Sequence, residues 1–208
     1  MTDDFNIIIT ANTAPSSAGL TNQVWTFDSA QSYVFPAFTD AQSDTFTYTG
    51  FACVPAAAGI TMTAATRTIS MAASGQAAGT YACTITADDT YTNGVGTGTF
   101  NIKVNTKPVQ TALAAQTLYK GEAGWTYTAT ACTDPNAGDT VTQTARNFAQ
   151  NTVTTPWLSF NSATGVFSGT PDVTGTSTIE VVCTDQDGAF DVKTFTITVG
   201  VNNPPVYT

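Results

Sequence analysis

From Trp157 to Val199 apolar residues recur at every second position, as at Phe195, Ile197 and Val199, with Gly-, Pro- and Asp-bearing turns between the runs. A period of two over short runs predicts strands with one buried face, and the turn residues predict antiparallel connections. The pattern places strands at 109–118, 124–132, 140–148, 156–160, 164–168, 177–184 and 190–200. An equivalent set falls at 16–25, 32–38, 44–53, 59–63, 66–71, 80–87 and 95–104. No segment carries a helical period. Pro156 and Pro171 fall at strand edges or turns, where a missing N–H does no harm.

The two sets are copies of one unit. Asn12-Thr-Ala-Pro15, Asn105-Thr-Lys-Pro108 and Asn202-Asn-Pro-Pro205 share an N-x-x-P pattern at intervals of roughly 95 residues, each after a strand of similar wording. Ala65–Ser70 matches Ala163–Ser168, and Phe38-Thr-Asp40 matches Cys132-Thr-Asp134. A unit this long holds its own core, which argues against a solenoid. The expected organisation is residues 12–104 and 105–201 as two sandwiches, 1–11 as the last strand of a preceding repeat or an N-terminal strand, and 202–208 as the start of another repeat or a tail.

The run WLSFNSATGVFSGTP, a strand, TDQDG and then FTITV resembles the dystroglycan-type cadherin-like repeat and the related Ig-like repeats. The match is good in the second unit and looser in the first. It implies an all-β chain of two tandem Ig-like/cadherin-like antiparallel β-sandwich domains, each of seven strands. Function on this reading is an extracellular structural or adhesion segment. Its partners are neighbouring repeats or like chains, and glycans or surface proteins.

Composition agrees with a folded chain. Hydrophobic residues make up 42% and charged residues 10% of the 208, and roughly a fifth are Thr, which suits a half-buried pleated surface. A net charge of −9 offers nothing to neutralise a phosphate backbone, so nucleic acid is excluded as a partner. No run reaches the ~20 apolar residues of a membrane span. The N-terminus lacks the basic and apolar regions of a signal peptide, which reads as a fragment or a mature form.

Each unit carries two of the four cysteines. Cys132 and Cys183 fall at the ends of the second and sixth strands, the place of the inter-sheet bridge in Ig-like sandwiches. Repeat 1 has Phe38 and Thr86 at those positions and instead has Cys53 and Cys83 on two strands that neighbour each other in such a fold. Disulfides 53–83 and 132–183 are expected, and with them an oxidising, extracellular or cell-surface compartment. Four reduced, buried thiols are the alternative.

The acidic residues carry the chemical signal. Thirteen are Asp and two are Glu. Eight Asp fall in four short loops: Asp40 with Asp44, Asp88 with Asp89, Asp134 with Asp139, and Asp185 with Asp187. In a sandwich these loops share the pole where the chain enters, beside Asn12 in repeat 1 and Asn105 in repeat 2. Clustered carboxylates repel unless a cation neutralises them, and hard oxygen donors point to Ca²⁺. The resemblance implies the same, because cadherin-like repeats hold Ca²⁺ with these loops. The chain departs from that pattern in the loop Met71–Gly79, which has no acid, so three ions per junction are not expected. The competing reading is that Asp favours turns.

Other chemistry is thin. Trp25, Trp125 and Trp157 suit core positions better than a sugar-stacking platform, which would make the chain a carbohydrate-binding accessory module of a larger secreted protein. Paired Asp could serve glycoside hydrolysis, but no apolar cleft is evident to raise a pKa. Histidine is absent, so no Ser-His or Cys-His nucleophile can be assembled. The chain is not expected to be an enzyme.

Overall fold

The computed structural model describes residues 8–146 and 156–202. The chain divides into two compact units, Met1–Asn105 and Thr106–Thr208. Among the described residues the regular structure is strand, apart from one 3-10 turn at Ala64–Thr66. The first unit holds β1 (Gln23–Thr26), β2 (Gln31–Val34), β3 (Thr47–Val54), β4 (Ile60–Thr63), β5 (Thr68–Met71), β6 (Gly79–Asp88) and β7 (Val95–Asn105). The second holds β8 (Gln116–Tyr119), β9 (Trp125–Thr128), β10 (Val141–Arg146), β11 (Ser159–Asn161), β12 (Val166–Gly169), β13 (Gly175–Asp185) and β14 (Phe190–Gly200). In each, a four-stranded sheet faces a three-stranded one: β1-β7-β6-β3 with β2-β5-β4, and β10-β13-β14-β8 with β11-β12-β9.

The alternating pattern sets which side of each strand is buried. On β14, Phe195, Ile197 and Val199 are buried, while Thr194 and Thr198 face water and Thr196 is partly covered. The second core gathers these with Phe167, Ile179 and Val181, and Phe167 packs edge-on to Phe195 at 5.2 Å and against Phe160 at 4.5 Å. The first core is built from Trp25, Phe35, Ile69, Ile85, Ile102 and Val104. Burying one such aliphatic side chain contributes about 1.5–3 kcal/mol. Trp125 and Trp157 pair edge-on at 6.2 Å and pack on the second core, as Trp25 is buried in the first.

Three sequence expectations change. The first strand of each unit is broken rather than continuous over 16–25 or 109–118. Ser16 bridges Thr39, and Val109 bridges Thr133, beside the second strand. The chain then crosses to the other sheet, where β1 runs parallel to β7 and β8 parallel to β14. Each sandwich therefore contains one parallel pair, because the first strand changes sheets while keeping its direction. Gly19, at φ 79°, supplies the left-handed residue in the first crossing. Second, residues 8–11 form no strand; residues 1–7, 147–148 and 203–208 of the expected elements lie outside the described residues. Third, Thr86 does not occupy the position of Cys183. Counting along the strands from the buried Asp89 and Asp185 makes Ala87, fully buried, the counterpart of Cys183. Thr86 lies on the outer face.

Cys53 and Cys83 are bonded directly across β3 and β6, with Cα atoms 4.0 Å apart. Cys132 and Cys183 join the segment leaving β9 to β13 of the other sheet, with Cα atoms 6.0 Å apart. Each bond contributes about 2–4 kcal/mol.

The crossing first strand is fastened to the last strand differently in the two units. Four residues before the buried Phe100, Gly96 lies so close to Pro15 that a Cβ would overlap the Pro15 carbonyl oxygen. Four residues before Phe195 stands Asp191, whose Oδ2 accepts the Gln110 backbone N–H at 3.1 Å. Gly96→Ala is expected to destabilise the first unit by about 1–3 kcal/mol, because backbone must move to admit the methyl. Urea unfolding followed by Trp25 fluorescence, with Trp125 and Trp157 replaced by Phe, measures it. An unchanged midpoint would show that the close approach is not a constraint.

Candidate metal-binding loops at the entry poles

Five of the eight loop Asp are used by their own turns. Asp40 Oδ1 accepts the backbone N–H groups of Gln42 at 2.8 Å and Asp44 at 3.1 Å. Asp88 Oδ1 accepts Thr90 N–H at 2.7 Å, and Asp89 Oδ1 accepts Tyr91 N–H at 2.9 Å. Asp134 Oδ1 accepts Asn136 N–H at 2.7 Å. Asp185 Oδ1 accepts the N–H groups of Asp187 and Ala189 at 2.9 and 2.8 Å. These are Asx turns, in which a short carboxylate closes the loop two residues on. The turn reading of the sequence thus accounts for one oxygen of each of these residues.

The second oxygens differ. Asp89 is 1% exposed, and its Oδ2 accepts the Asn12 side-chain amide at 3.1 Å. Asp40 Oδ2 and Asp134 Oδ2 are buried with no hydrogen-bond partner. These two residues follow Phe38 and Cys132 by two positions, so the same carboxylate oxygen is left unsatisfied at the same place in both units. Leaving a buried acceptor unpaired costs about 1–3 kcal/mol.

The entry segments reach these loops. Gln42 donates from Nε2 to the Ala11 carbonyl at 3.0 Å and accepts from the Thr13 hydroxyl at 2.5 Å. In the second unit Thr106 donates its N–H and hydroxyl to Asn136 Oδ1, both at 2.8 Å, and Gln186 donates to Asp139 Oδ1 at 2.9 Å. Asn12 and Asp89 are therefore brought together, and Asp40 and Asp44 share one turn. Asp88 is turned to the outer side of β6, Asp187 is exposed, and Asn105 is the buried last residue of β7 in the first unit. Among the described residues, no three Asp, Glu, Cys or His side chains gather closely enough to hold a metal ion by themselves.

A polar cluster below the second pole was missed by the sequence reading. Gln110 is 1% exposed. Its Nε2 donates to Thr130 Oγ1 at 2.9 Å, and its Oε1 accepts from Gln143 Nε2 at 2.7 Å and lies against both sulfurs of the Cys132–Cys183 bond. Asp191, above it, is flanked by Lys193 at 3.5 Å and Lys107 at 3.9 Å. Burial pushes the Asp191 pKa up, but the Gln110 N–H and the two ammonium groups outweigh it and hold the carboxyl below its ordinary value. The signal was present: Asp191 is in phase with Phe195, Ile197 and Val199, so it faces inward.

An open cleft of about 780 Å³ lies beside this cluster, lined by Gln143, Cys132, the Thr and Val side chains of β10 and the turn Ser162–Gly165. Among the described residues no aromatic lines it.

Residues 107–200 match the Putative Ig domain family. No curated protein sequence matches the chain. Solved structures with a similar fold include human protocadherin-24 EC1-2, at 15% identity over 93% of this chain and 100% of that one, with a TM-score of 0.46. Human CDH23 EC21-23 matches at 14% identity over 90% and 69%, with a TM-score of 0.44. An alpha-galactosidase-type protein of Bacteroides fragilis matches at 17% identity over 45% and 18%, with a TM-score of 0.35. The family match lies wholly within the second unit.

Because the Asp191 pKa is depressed, the stability it contributes is fully present above its ordinary value of 3.8 and is lost as pH falls through the lower folded value. Asp191→Asn is expected to flatten the acid limb of second-unit unfolding below about pH 4. Urea midpoints measured from pH 2 to pH 6, with Trp25 replaced by Phe, test this. Parallel acid limbs in variant and parent would mean that the ion cluster contributes nothing.

Proposed function

We propose that this chain is a segment of a secreted or cell-surface rod, structural or adhesive, built of tandem sandwiches that take up Ca²⁺ at their entry poles. The observation that carries the reading is the repeated one: a buried carboxylate oxygen without a partner, on Asp40 and again on Asp134. A hard cation satisfies such an oxygen as no apolar neighbour can. Ca²⁺ takes six to eight oxygens, so these carboxylates would be joined by loop carbonyls, side-chain amides and water. Asp44 in the first unit and Asp139 in the second sit in the same loops, and Asp89 and Asp185 stand in the second acidic loop of each unit. This donor set suits one weakly held ion per pole.

The two disulfides support an oxidising compartment. Neighbouring repeats and like chains are the partners that tandem units of this kind present surfaces to. The alternative, a carbohydrate-binding module, gains little support, since Trp25 is buried, Trp125 and Trp157 pack on a core, and no described aromatic residue lines the cleft.

Extracellular modules bind Ca²⁺ at about 10⁻⁴–10⁻³ M. At a dissociation constant near 1 mM, about 10 mM Ca²⁺ stabilises a unit by roughly 1.4 kcal/mol. Calorimetric melting with CaCl₂ and with EDTA is expected to separate by several degrees. Asp40→Asn should abolish the shift of the first unit, and Asp134→Asn that of the second. The second unit should respond at the lower concentration, because its disulfide fixes Cys132 and Cys183, each two residues before a loop Asp. Superimposable curves in CaCl₂ and EDTA would leave these aspartates as turn residues only.

A further inference from the structure

The outer face of the second unit's four-stranded sheet is almost free of charge, although the chain as a whole carries −9. Across β8, β14, β13 and β10 the cross-strand register sets Thr117, Thr198 and Thr176 in one row and Thr196 with Thr178 in the next. Thr194, Glu180 and Arg146 form the third row, and Val192, the already buried Val182 and Thr144 the fourth. The charges on this face, Glu180 and Arg146, cancel in an ion pair of 2.7 Å. The chain as a whole is poor in charge, at 10% of its residues, and such a composition on a flat face is compatible with an interface core. At opposite ends of the face stand two exposed aromatic residues, Phe190 at the start of β14 and Tyr119 at the end of β8, each 55% exposed.

We propose that this face is where a second copy of the chain docks, sheet against sheet. The inference deepens the adhesive reading above and rests on it for its biological setting. Two chains of net charge −9 repel, and a face whose own charges sum to zero adds nothing to that repulsion. The face is also self-complementary. A two-fold axis lying in the face and perpendicular to the strands sets Phe190 of one copy against Tyr119 of the other, and does so twice. The lateral offset is one strand spacing, about 4.8 Å, within the range of aromatic contact. The threonine methyls and hydroxyls between these anchors form the middle of the contact. At about 3.4 Å per residue and 4.8 Å per strand, the four strands present on the order of 500 Å² per copy. Stable complexes bury about 800 Å² per partner, so the association is a weak one that becomes effective when many units are arrayed together.

Sedimentation equilibrium of the whole chain from about 10 µM to 1 mM tests this, the range in which a weak interface of this size populates a dimer. The mass average is expected to climb from monomer towards dimer. The double substitution Thr178→Lys with Thr196→Lys should hold the chain monomeric throughout while leaving its melting curve cooperative. Phe190→Ala, at an exposed site that folding does not need, should weaken association by at least roughly fivefold. A chain that stays monomeric to 1 mM, or a Lys variant that associates like the parent, overturns the proposal. The calcium reading is separated by running Asp40→Asn with Asp134→Asn beside these. Association that persists in this variant supports the face independently of the poles. A calcium-dependent melting shift in a strictly monomeric chain removes the face and leaves the rod.

Discussion

The entry end of each sandwich has to be closed where the first strand passes from one sheet to the other. Backbone groups freed by the crossing need partners, and the core beneath needs cover from water. Pairing register brings the same positions to this place in both units, yet the chemistry differs. In the first unit Tyr48 fills it, edge-on to Phe35, Phe38 and Phe46 at 5.0 to 5.8 Å, while its hydroxyl accepts the Phe38 backbone N–H at 2.9 Å. In the second, Gln143 stands at the Tyr48 position and the Cys132–Cys183 bond replaces Phe38 and Ala87. The first closure draws on apolar burial and aromatic pairs worth about 0.5–1.5 kcal/mol each. The second draws on a disulfide and on hydrogen bonds of similar net value, provided every buried amide is satisfied. Because two amides and a disulfide fill less space than four rings, the second unit keeps an open cleft beside the closure.

That closure also decides where the loop acids sit. Asp40 and Asp134 each follow an anchored residue by two positions, so the loop that begins there starts from a fixed point. An Asx turn then spends one oxygen holding the loop, and the rigid start keeps the other buried. The same logic explains why Asp89 and Asp185, at the ends of the long strands β6 and β13, are the most buried of the loop acids.

The alternation of apolar and polar residues made the strands readable, down to the bounds of β14 at 190 and 200. It could not show the break in the first strand, since bridge and crossing both keep the period of two that the eye follows. Landmark matching misplaced the Cys183 counterpart by one residue, because Thr86 and Ala87 are both small and only pairing register tells an outward from an inward position. Gln110 and Gln143 escaped notice for a plainer reason. A lone polar residue in a strand reads as solvent-facing, and burial becomes affordable only when several such groups meet from strands distant in sequence. The acidic loops were legible as loops. That five of the eight carboxylates are tied first to their own backbone was not, since turn preference and cation binding ask for the same residue type.

The distribution of the few cations gives these loops their character. Lys107 and Lys193 are committed to Asp191, Arg146 to Glu180, and Arg67 donates to the Phe35 carbonyl at 2.8 Å. At the poles the donors named above are neutral instead: the amides of Asn12 and Gln186, and backbone N–H groups. A lysine in place of Asn12 would pair with Asp89 and cancel its charge. An amide satisfies the hydrogen-bonding need and leaves the charge in place. Asp89 is thus held in shape by an amide that leaves its charge in place, and the field of such a carboxylate falls off over roughly 8–10 Å at physiological ionic strength. The broad sheet faces, by contrast, carry almost none of the net charge. Amide and backbone donors at the loops and threonine on the strands therefore divide the surface: the acids stand in the turns, and the flat sides are largely uncharged hydroxyls and methyls.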